Sequence, residues 1–479
     1  MGDPPAGSRN TAEGINQMNA QEDRREPFFT HDSDFYKTFF SLMAVVALQN
    51  LVAYSVNMAD NIMLGRYSQT ALSGAATVNQ IFFLVQQTTI TIGDALVILA
   101  SQYWGQKRTQ PIRKLTGVAL KLSLVCGLLI LGVCLFFPDQ VLGIFTSDAA
   151  IISEGRAYLN IIQHTFLLFI LSHVLMSALR SVEIVNISFY ISVISLIVDV
   201  CINYTLIFGK FGFPEMGVRG AGIGTFTARV VELVVVLWYM LFRDQRLRLF
   251  SENFLTGAGT LAADYRRVAA PVMASGLLWA VSVPMQTAVL GHLPGGVASD
   301  AIAANSVSST FYQYLKVIVV AMSSASAVMI GKAIGIGNMK RVRSDARSMS
   351  VIDVCVGVVL GLILLAARQP LLNMYSLNEQ ALTLAGQFMY ILSFVMVGMS
   401  YQMPVSSGII RGGGDTKFSL ILNMVSTWGI VMPLTFLSAF VWKWPAAAVV
   451  CVIQSDQIFK GLPILIRFRS YKWIKKLTK

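Results

Sequence analysis

Residues 115–137 read LTGVALKLSLVCGLLILGVCLFF, and Lys121 is the one charged side chain in this run. A helix needs about 20 apolar residues to cross the hydrocarbon layer of a membrane, and the run is long enough. Eleven other stretches are similar. They predict an all-α polytopic membrane protein, because the apolar blocks are continuous and lack the alternation of a β-barrel. The twelve predicted spans are 36–58, 71–100, 115–137, 157–179, 186–208, 220–242, 268–291, 300–330, 346–367, 384–409, 418–440 and 445–466.

The composition of the whole chain supports a membrane location. Only 13% of the 479 residues are charged and 55% are hydrophobic, whereas an ordinary soluble protein carries about 25% charged residues. The net charge of +12 would suggest a nucleic-acid partner in a soluble protein, but basic residues also collect on the cytosolic side of membrane proteins. We therefore expect a lipid bilayer and a small-molecule substrate as partners, and no nucleic acid.

The basic residues predict the direction in which the spans cross. With the amino terminus in the cytosol, 23 Lys and Arg residues fall in inner loops and the carboxyl-terminal tail, against six in outer loops. This asymmetry predicts cytosolic termini and fits a bacterial cytoplasmic membrane. Residues 1–34, rich in Gly, Pro and charge, are predicted to be a disordered cytosolic tail, and residues 467–479 a basic cytosolic tail.

An internal repeat divides the chain in two. A shift of about 230 positions places Ala71-Leu72-Ser73 on Ala301-Ile302-Ala303 and Gly105 on Gly335. Each half holds six predicted spans, and an even number gives both halves the same orientation, with an axis along the membrane normal. This architecture is typical of transporters. It predicts an amino-terminal lobe at 35–242, a cytosolic linker at 243–267 and a carboxyl-terminal lobe at 268–466.

Few ionisable side chains lie inside the predicted spans. Each costs about 2.5–3.5 kcal/mol at mid-membrane unless it is paired, so each is a candidate functional residue. Asp60 lies in the first span with Asn57 one turn before it, and Asp199 and Asn203 share one face of the fifth. Buried carboxyl groups close together can hold a proton or Na⁺. Structural roles, a helix cap for Asp60 and an interhelical hydrogen bond for Asp199, are the alternative.

Other polar residues in the spans have several readings. Arg229 with Glu232, and Asp456 with Lys460, are spaced so that each pair can neutralise itself on one helix. Asp94, Lys316 and Asp353 have no partner nearby in the sequence. A further group could line a substrate cavity, although interhelical hydrogen bonding explains its amides equally well. These candidates are Asn79, Gln80, Trp279, Gln286 and Asn305.

Several motifs resemble the multidrug and toxic compound extrusion (MATE) family from about residue 36 to the end of the chain. They are ADNIMLGR at 59–66, SQYWG at 101–105, NYTLIFG at 203–209, EMGVRGA at 215–221, RGGGDT at 411–416 and KWIKKLT at 472–478. The resemblance implies two six-helix lobes, alternating access, and export of bulky, often cationic or amphipathic compounds in exchange for H⁺ or Na⁺. It implies no other cofactor or metal.

The resemblance also implies a cation site in the amino-terminal lobe, made by Asp60, Asp199, Asn203 and Thr225. Many relatives carry Asn and then Asp on the fifth helix, whereas this chain has Asp199 and then Asn203. Some relatives have an acid on the seventh helix where this chain has Trp279, which argues against a cation site in the carboxyl-terminal lobe. Asp415 matches a family acid, but it lies in a Gly-rich turn that it could simply order.

These observations predict a secondary active antiporter, acting as a monomer, that exports organic compounds in exchange for H⁺ or Na⁺. A flippase for a lipid-linked sugar or another amphipathic lipid is the alternative, since related transporters share the two-lobe layout. A flippase cavity should be strongly basic, whereas the charges in these spans are mainly acidic. An enzyme is not expected, because the sequence has no GxSxG, HExxH or P-loop pattern.

Overall fold

The computed structural model describes residues 28–146, 148–293, 298–373 and 378–478. The described chain consists mostly of long helices, and we number the membrane-spanning ones α1 to α12. They are α1 (Ser33–Tyr67), α2 (Gln69–Gly105), α3 (Thr109–Phe136), α4 (Ala149–Ile162 with Thr165–Ser181), α5 (Asn186–Ile207), α6 (Val218–Phe242), α7 (Thr260–Gly291), α8 (Ala298–Ile336), α9 (Met339–Leu372), α10 (Glu379–Ile410), α11 (Thr416–Val441) and α12 (Ala446–Arg469).

The predicted number of spans is confirmed in the described residues. Eleven helices are long and apolar enough to cross a membrane, and the two halves of α4 together make a twelfth. The halves of α4 meet at Gln163 and His164 and are bent by 50°. The chain is therefore an all-α membrane protein.

The helix boundaries show the internal repeat more clearly than the sequence does. Each helix of the first half begins between 227 and 230 residues before its counterpart in the second half, as Ser33 does before Thr260 and Thr109 before Met339. The fold thus consists of two six-helix lobes.

The predicted linker and tails differ from the structure at their edges. Helix α7 begins at Thr260, so residues 260–267 are helical and not linker. The remaining linker turns around Asp244, whose carboxylate accepts hydrogen bonds from the backbone N–H groups of Arg246, Leu247 and Arg248 at 2.8–3.0 Å.

The predicted amino-terminal tail is ordered from its last few residues onward. Residues 1–27 lie outside the described chain. Thr30 donates from its hydroxyl to Asp345 on α9 at 2.8 Å, Asp32 pairs with Arg341 at 2.6 Å, and α1 begins at Ser33. Residues 28–34 are therefore fixed by contacts with the other lobe, which the Gly- and Pro-rich composition of the tail does not reveal.

One end of the bundle carries most of the basic loops. We call it the basic end: it is where α2 ends at Gly105 and α3 begins at Thr109. The opposite end is the far end. At the basic end the backbones of α2 and α8 are in direct contact. A Cβ on Gly105 would collide with the Lys332 carbonyl, and one on Gly335 would collide with the Gln102 carbonyl. Glycine at both positions allows the two lobes to touch there.

The carboxyl-terminal tail has a structure of its own. Residues 472–478, which we call the C-terminal strap, follow α12 and pack on the protein. Trp473 is fully buried against Gly413, and its indole N–H donates to the Phe468 carbonyl at 3.0 Å. The strap is therefore a packed element of the structure, anchored by an apolar side chain that its basic composition conceals.

Candidate cation site and contacts between the lobes

Asp60, Asp199 and Asn203 meet inside the amino-terminal lobe. The Asn203 side-chain amide donates to Asp60 Oδ1 at 2.7 Å and to Asp199 Oδ2 at 3.1 Å. One amide thus bridges the two carboxyl groups, which are close enough for their charges to act on each other. Asp199 and Asn203 are buried, and Asp60 is partly exposed. The spacing of Asp199 and Asn203 thus predicts the correct face of α5, and α1 brings Asp60 against it.

Three buried oxygens of this cluster accept no hydrogen bond from the described residues. They are Asp199 Oδ1, Asn203 Oδ1 and the Thr225 hydroxyl oxygen. The Thr225 hydroxyl lies beside Asp199. Buried polar atoms are almost always satisfied in folded proteins, so these oxygens are candidate ligands for a proton or cation. The donor set of carboxylate, amide and hydroxyl oxygens suits both H⁺ and Na⁺.

The cluster lies about two helical turns from the far end. Asp60 precedes the end of α1 at Tyr67 by seven residues, and Thr225 follows the start of α6 at Val218 by seven. The similar distances place the side chains from α1, α5 and α6 at one depth. The four residues that the family resemblance implied are therefore neighbours in the structure.

Glycines on α6 allow the close approach that the cluster needs. A Cβ on Gly224 would overlap Asn203 Oδ1, and one on Gly220 would lie 2.7 Å from the Leu206 carbonyl carbon. Small residues let helices in membranes approach with their backbones nearly in contact. The Gly-rich start of α6 thus places Thr225 beside Asp199.

Two residues near the cluster were not predicted to belong to it. Tyr158 on α4 is buried next to Thr225. The charge of Arg229 acts on both carboxyl groups, while its guanidinium pairs with Glu232 at 2.5 Å, which confirms the predicted pair. Tyr158 has no sequence signal, because an aromatic residue in an apolar span normally packs in the core.

Asn57 lies outside these contacts. It is one helical turn before Asp60, but its side chain is exposed and takes no part in the hydrogen bonds that join Asp60, Asn203 and Asp199. The structure therefore does not bring Asn57 into the cluster, because α1 at this point turns only Asp60 toward α5.

The predicted cavity residues lie on α2, α7 and α8, at partly or fully exposed positions. Trp279 on α7 is 39% exposed, and its ring centre lies 6.2 Å from that of Phe83 on α2. Gln80 is exposed, and the other three amides are half-buried. These three amides belong to Asn79, Gln286 and Asn305. Trp279 is therefore at the boundary between the lobes, whereas a cavity lined by all five residues remains a prediction.

Charged contacts join the lobes toward the basic end. Asp94 on α2 pairs with Arg180 of its own lobe at 3.3 Å and with Arg411 of the other lobe at 2.9 Å. Glu183 pairs with Lys332 on α8 at 2.8 Å. Asp94 thus has its partners across helices, which explains why none was visible nearby in the sequence. These bonds hold the basic end closed.

The C-terminal strap adds to this closure. It belongs to the carboxyl-terminal lobe, where the Lys475 ammonium binds Asp415 at 2.7 Å. On the other side, the Gln102 amide of α2 donates to the Lys475 carbonyl at 3.1 Å and accepts from the Leu477 N–H at 2.9 Å. Asp415 also binds Arg467. Asp415 therefore fixes the loop in which it lies and the C-terminal strap. This is the structural role that the sequence offered as the alternative for this residue.

Similarity to known proteins agrees with this architecture. The MatE family model matches residues 46–205 and 271–437. A probable multidrug resistance protein NorM of Thermotoga maritima is 24% identical over 432 residues, covering 89% of this chain and 91% of that protein. A NorM protein of Xylella fastidiosa, also named a probable multidrug resistance protein, is 25% identical over 80% of this chain and 81% of its own.

Solved structures have the same fold. A mutant of the Vibrio cholerae MATE transporter VcmN superposes with a TM-score of 0.83 at 16% identity, covering 93% of this chain and 98% of that one. The eukaryotic MATE transporter AtDTX14 gives 0.81 at 18% identity, over 93% and 97%. Two matched segments that together span most of the chain, on two repeated six-helix lobes, show that this protein belongs to the MatE family and is a transporter rather than an enzyme.

Proposed function

We propose that the protein is a secondary active antiporter that exports organic compounds in exchange for an inward-moving cation. Relatives along nearly the whole chain carry the name multidrug resistance protein, which supports a broad range of exported compounds. The chain is proposed to act as a monomer in a bacterial inner membrane, with the basic end and both termini in the cytosol, as the positive-inside asymmetry indicates.

The observation that carries the proposal is the pair of carboxyl groups joined by Asn203 beside unsatisfied oxygens. Two carboxyl groups held close together repel each other when both are ionised, and one proton bound to the pair removes this repulsion. Asp60 and Asp199 are such a pair, with Asn203 as a donor to both. We therefore propose H⁺ as the coupling ion.

Coupling requires that ion and substrate favour different arrangements of the two lobes. The closed basic end supports an arrangement in which substrate reaches the binding site only from the far end. Opening the basic end means separating Asp94 from Arg411 and Glu183 from Lys332. A proton on the Asp60 pair changes the charge between α1, α5 and α6, and we propose that this shifts the balance between the two arrangements.

A flippase for a lipid-linked sugar is not favoured. Two relatives that match along most of the chain are named for multidrug resistance. The charged cluster inside the amino-terminal lobe contains more acids than bases, since Asp60, Asp199 and Glu232 face Arg229 alone. A pyrophosphate headgroup would be repelled from such a cluster.

Transport by the purified chain in proteoliposomes tests the proposal. A panel of organic dyes and metabolites is followed under a pH gradient and, separately, under a Na⁺ gradient. We expect the pH gradient to drive export and Asp60→Asn to abolish that drive. Asp139→Asn, at an exposed ion pair with Arg156, serves as the control and should transport normally. Full gradient-driven transport by the Asp60→Asn protein would refute the assignment of this site.

A further inference from the structure

Lys316 lies at the centre of α8, with 18 residues of the helix before it and 20 after it. Its ammonium nitrogen is 5.1 Å from the centre of the Trp279 ring on α7. The Trp279 ring in turn approaches Phe83 of the amino-terminal lobe. Lys316 is therefore at mid-membrane depth on the boundary between the two lobes, and its side chain is partly exposed there.

The charge of Lys316 is not balanced in the way that other intramembrane charges are. Arg229 pairs with Glu232, and Arg411 pairs with Asp94. No hydrogen bond or ion pair to Lys316 occurs within residues 28–146, 148–293, 298–373 and 378–478. A cation held in a span without a hydrogen bond or ion pair is costly, and such a residue is a candidate functional residue.

The acid that acts on Lys316 electrostatically, Asp456, already has hydrogen-bonding partners of its own. Asp456 on α12 acts on Lys316 electrostatically, but its carboxylate accepts from Lys460 and from the Gln457 amide, both at 2.7 Å. Two lysines thus share one carboxylate, which leaves an excess positive charge in this part of the lobe. Asp353 is completely buried in the same lobe, and it is not among the charges that act on Lys316.

Trp279 gives the same position an aromatic surface. Its ring is 39% exposed, so one part of the indole contacts the ammonium group and another remains open. A cation over an indole is stabilised by the ring but keeps its full charge, and it can still pair with an anion. An ammonium group beside an exposed indole is therefore suited to a ligand that has both an aromatic ring and a carboxylate.

We propose that Lys316 and Trp279 form a substrate subsite that recognises the carboxylate of an aromatic compound. The exported compounds then include organic anions and zwitterions besides cations. This inference rests on the proposed function, because it names part of the substrate that the transporter carries. It adds to the expectation of cationic substrates, because the charged groups around Asp60 are mainly acidic and those around Lys316 are mainly basic.

The test uses two dyes that differ only at the carboxyl group. Rhodamine 110 has a free carboxylate, and rhodamine 123 is its methyl ester. Binding of each dye to the purified full-length protein is measured by fluorescence anisotropy. We expect the wild-type protein to bind rhodamine 110 more tightly. Lys316→Met should weaken the binding of rhodamine 110 by about tenfold or more, the usual effect of losing a hydrogen bond to a charged group, and should leave rhodamine 123 unaffected.

Lys316→Arg is the matched control and should keep the preference for the free carboxylate. A wild-type protein that shows no preference for rhodamine 110, or no binding of either dye, overturns the proposal. So does equal loss of both dyes in Lys316→Met and in the second neutral variant, Lys316→Gln. The outcome does not depend on the proposed function, because binding needs no gradient. Wild-type protein that binds rhodamine 110 but moves no compound under any ion gradient would refute the antiporter alone.

Discussion

Asp94 of the amino-terminal lobe and Arg411 of the carboxyl-terminal lobe form an ion pair of 2.9 Å across the boundary between the lobes. Because Arg180 binds the same carboxylate at 3.3 Å, one acid holds a base from each lobe. Opening the basic end would separate Arg411 from this carboxylate and leave a partly buried guanidinium group without its acid, which is costly. The pair is therefore a bond that must break whenever the basic end opens.

The first prediction concerns this bond. We expect Asp94→Asn to increase the population open at the basic end by about tenfold, the effect of one partly exposed ion pair with two partners. Spin labels at Gln110→Cys and Lys340→Cys, in a chain without its five natural cysteines, report the distance between the lobes. Asp139→Asn at the far end is the control. An unchanged distance distribution in Asp94→Asn would show that the pair does not hold the lobes together.

The second prediction exchanges the charges of a different pair. Glu183 and Lys332 lie 2.8 Å apart, and the Trp104 indole N–H also donates to Glu183 at 3.2 Å. Glu183→Lys places two cations in contact, and we expect it to reduce transport in proteoliposomes several-fold. The double variant Glu183→Lys with Lys332→Glu should recover most of the rate. No recovery would mean that another property of Glu183, such as its bond to Trp104, matters more than the charge pair.

The third prediction addresses the order of the acid and the amide on α5. Asp199→Asn alone removes a carboxyl group from the cluster, and we expect pH-driven transport to be lost. The exchanged variant Asp199→Asn with Asn203→Asp restores a carboxyl group one turn away, still within reach of Asp60. It should regain part of the pH-driven rate. Equal failure of the single and the double variant would show that the carboxyl group must be at position 199.

The fourth prediction tests the close packing of α6 on α5. A Cβ at position 224 would overlap Asn203 Oδ1, so Gly224→Ala should displace the Asn203 amide from both carboxyl groups. Overpacking of a tight core typically costs about 1–3 kcal/mol, and we expect lower thermal stability together with slower transport. Gly132→Ala on α3 is the control, because no atom lies within 4 Å of its added methyl group. Normal transport by Gly224→Ala would mean that the helices can separate without cost.

The fifth prediction concerns the C-terminal strap. Gln102→Leu removes both the donor to the Lys475 carbonyl and the acceptor for the Leu477 N–H. We expect faster amide hydrogen exchange at Leu477, because its N–H loses its acceptor. Exchange is measured by mass spectrometry of the peptide that contains residues 472–478. Gln110→Leu, at an exposed position on α3, should leave the exchange unchanged. Unaltered exchange in Gln102→Leu would show that Trp473 and Asp415 hold the strap without help from α2.

The fold could be predicted almost completely from the sequence. Continuous apolar runs allow little besides membrane helices, and the weak repeat was enough to divide them into two lobes. The ends of the helices were harder to predict. Helices α7 and α8 extend beyond the apolar stretches into polar segments that pack on other helices. Tyr265, near the start of α7, is fully buried and donates to the Ile92 carbonyl at 2.8 Å. Such contacts depend on tertiary structure and leave no periodic signal.

The candidate site was predictable where spacing places residues on one face of a helix. Asp199 and Asn203 are an example, and Asp60 was singled out by the cost of a charge in a span. Contacts between helices were not predictable in this way. The partners of Asp94 lie 86 and 317 residues away in sequence, and the place of Tyr158 depends on how α4 packs on α6. Asn57 was predicted to join the site and does not. Two residues can share one face of a helix although only one of them contacts the neighbouring helix.

The repeat that relates the two lobes leaves the molecule chemically asymmetric. Both halves follow the same backbone path, with helix starts 227 to 230 residues apart. The positions equivalent to Asp60, Asp199 and Lys316 in the other half are uncharged. A half-turn about the axis that relates the lobes would therefore superpose their helices but place each of these charges on an uncharged position.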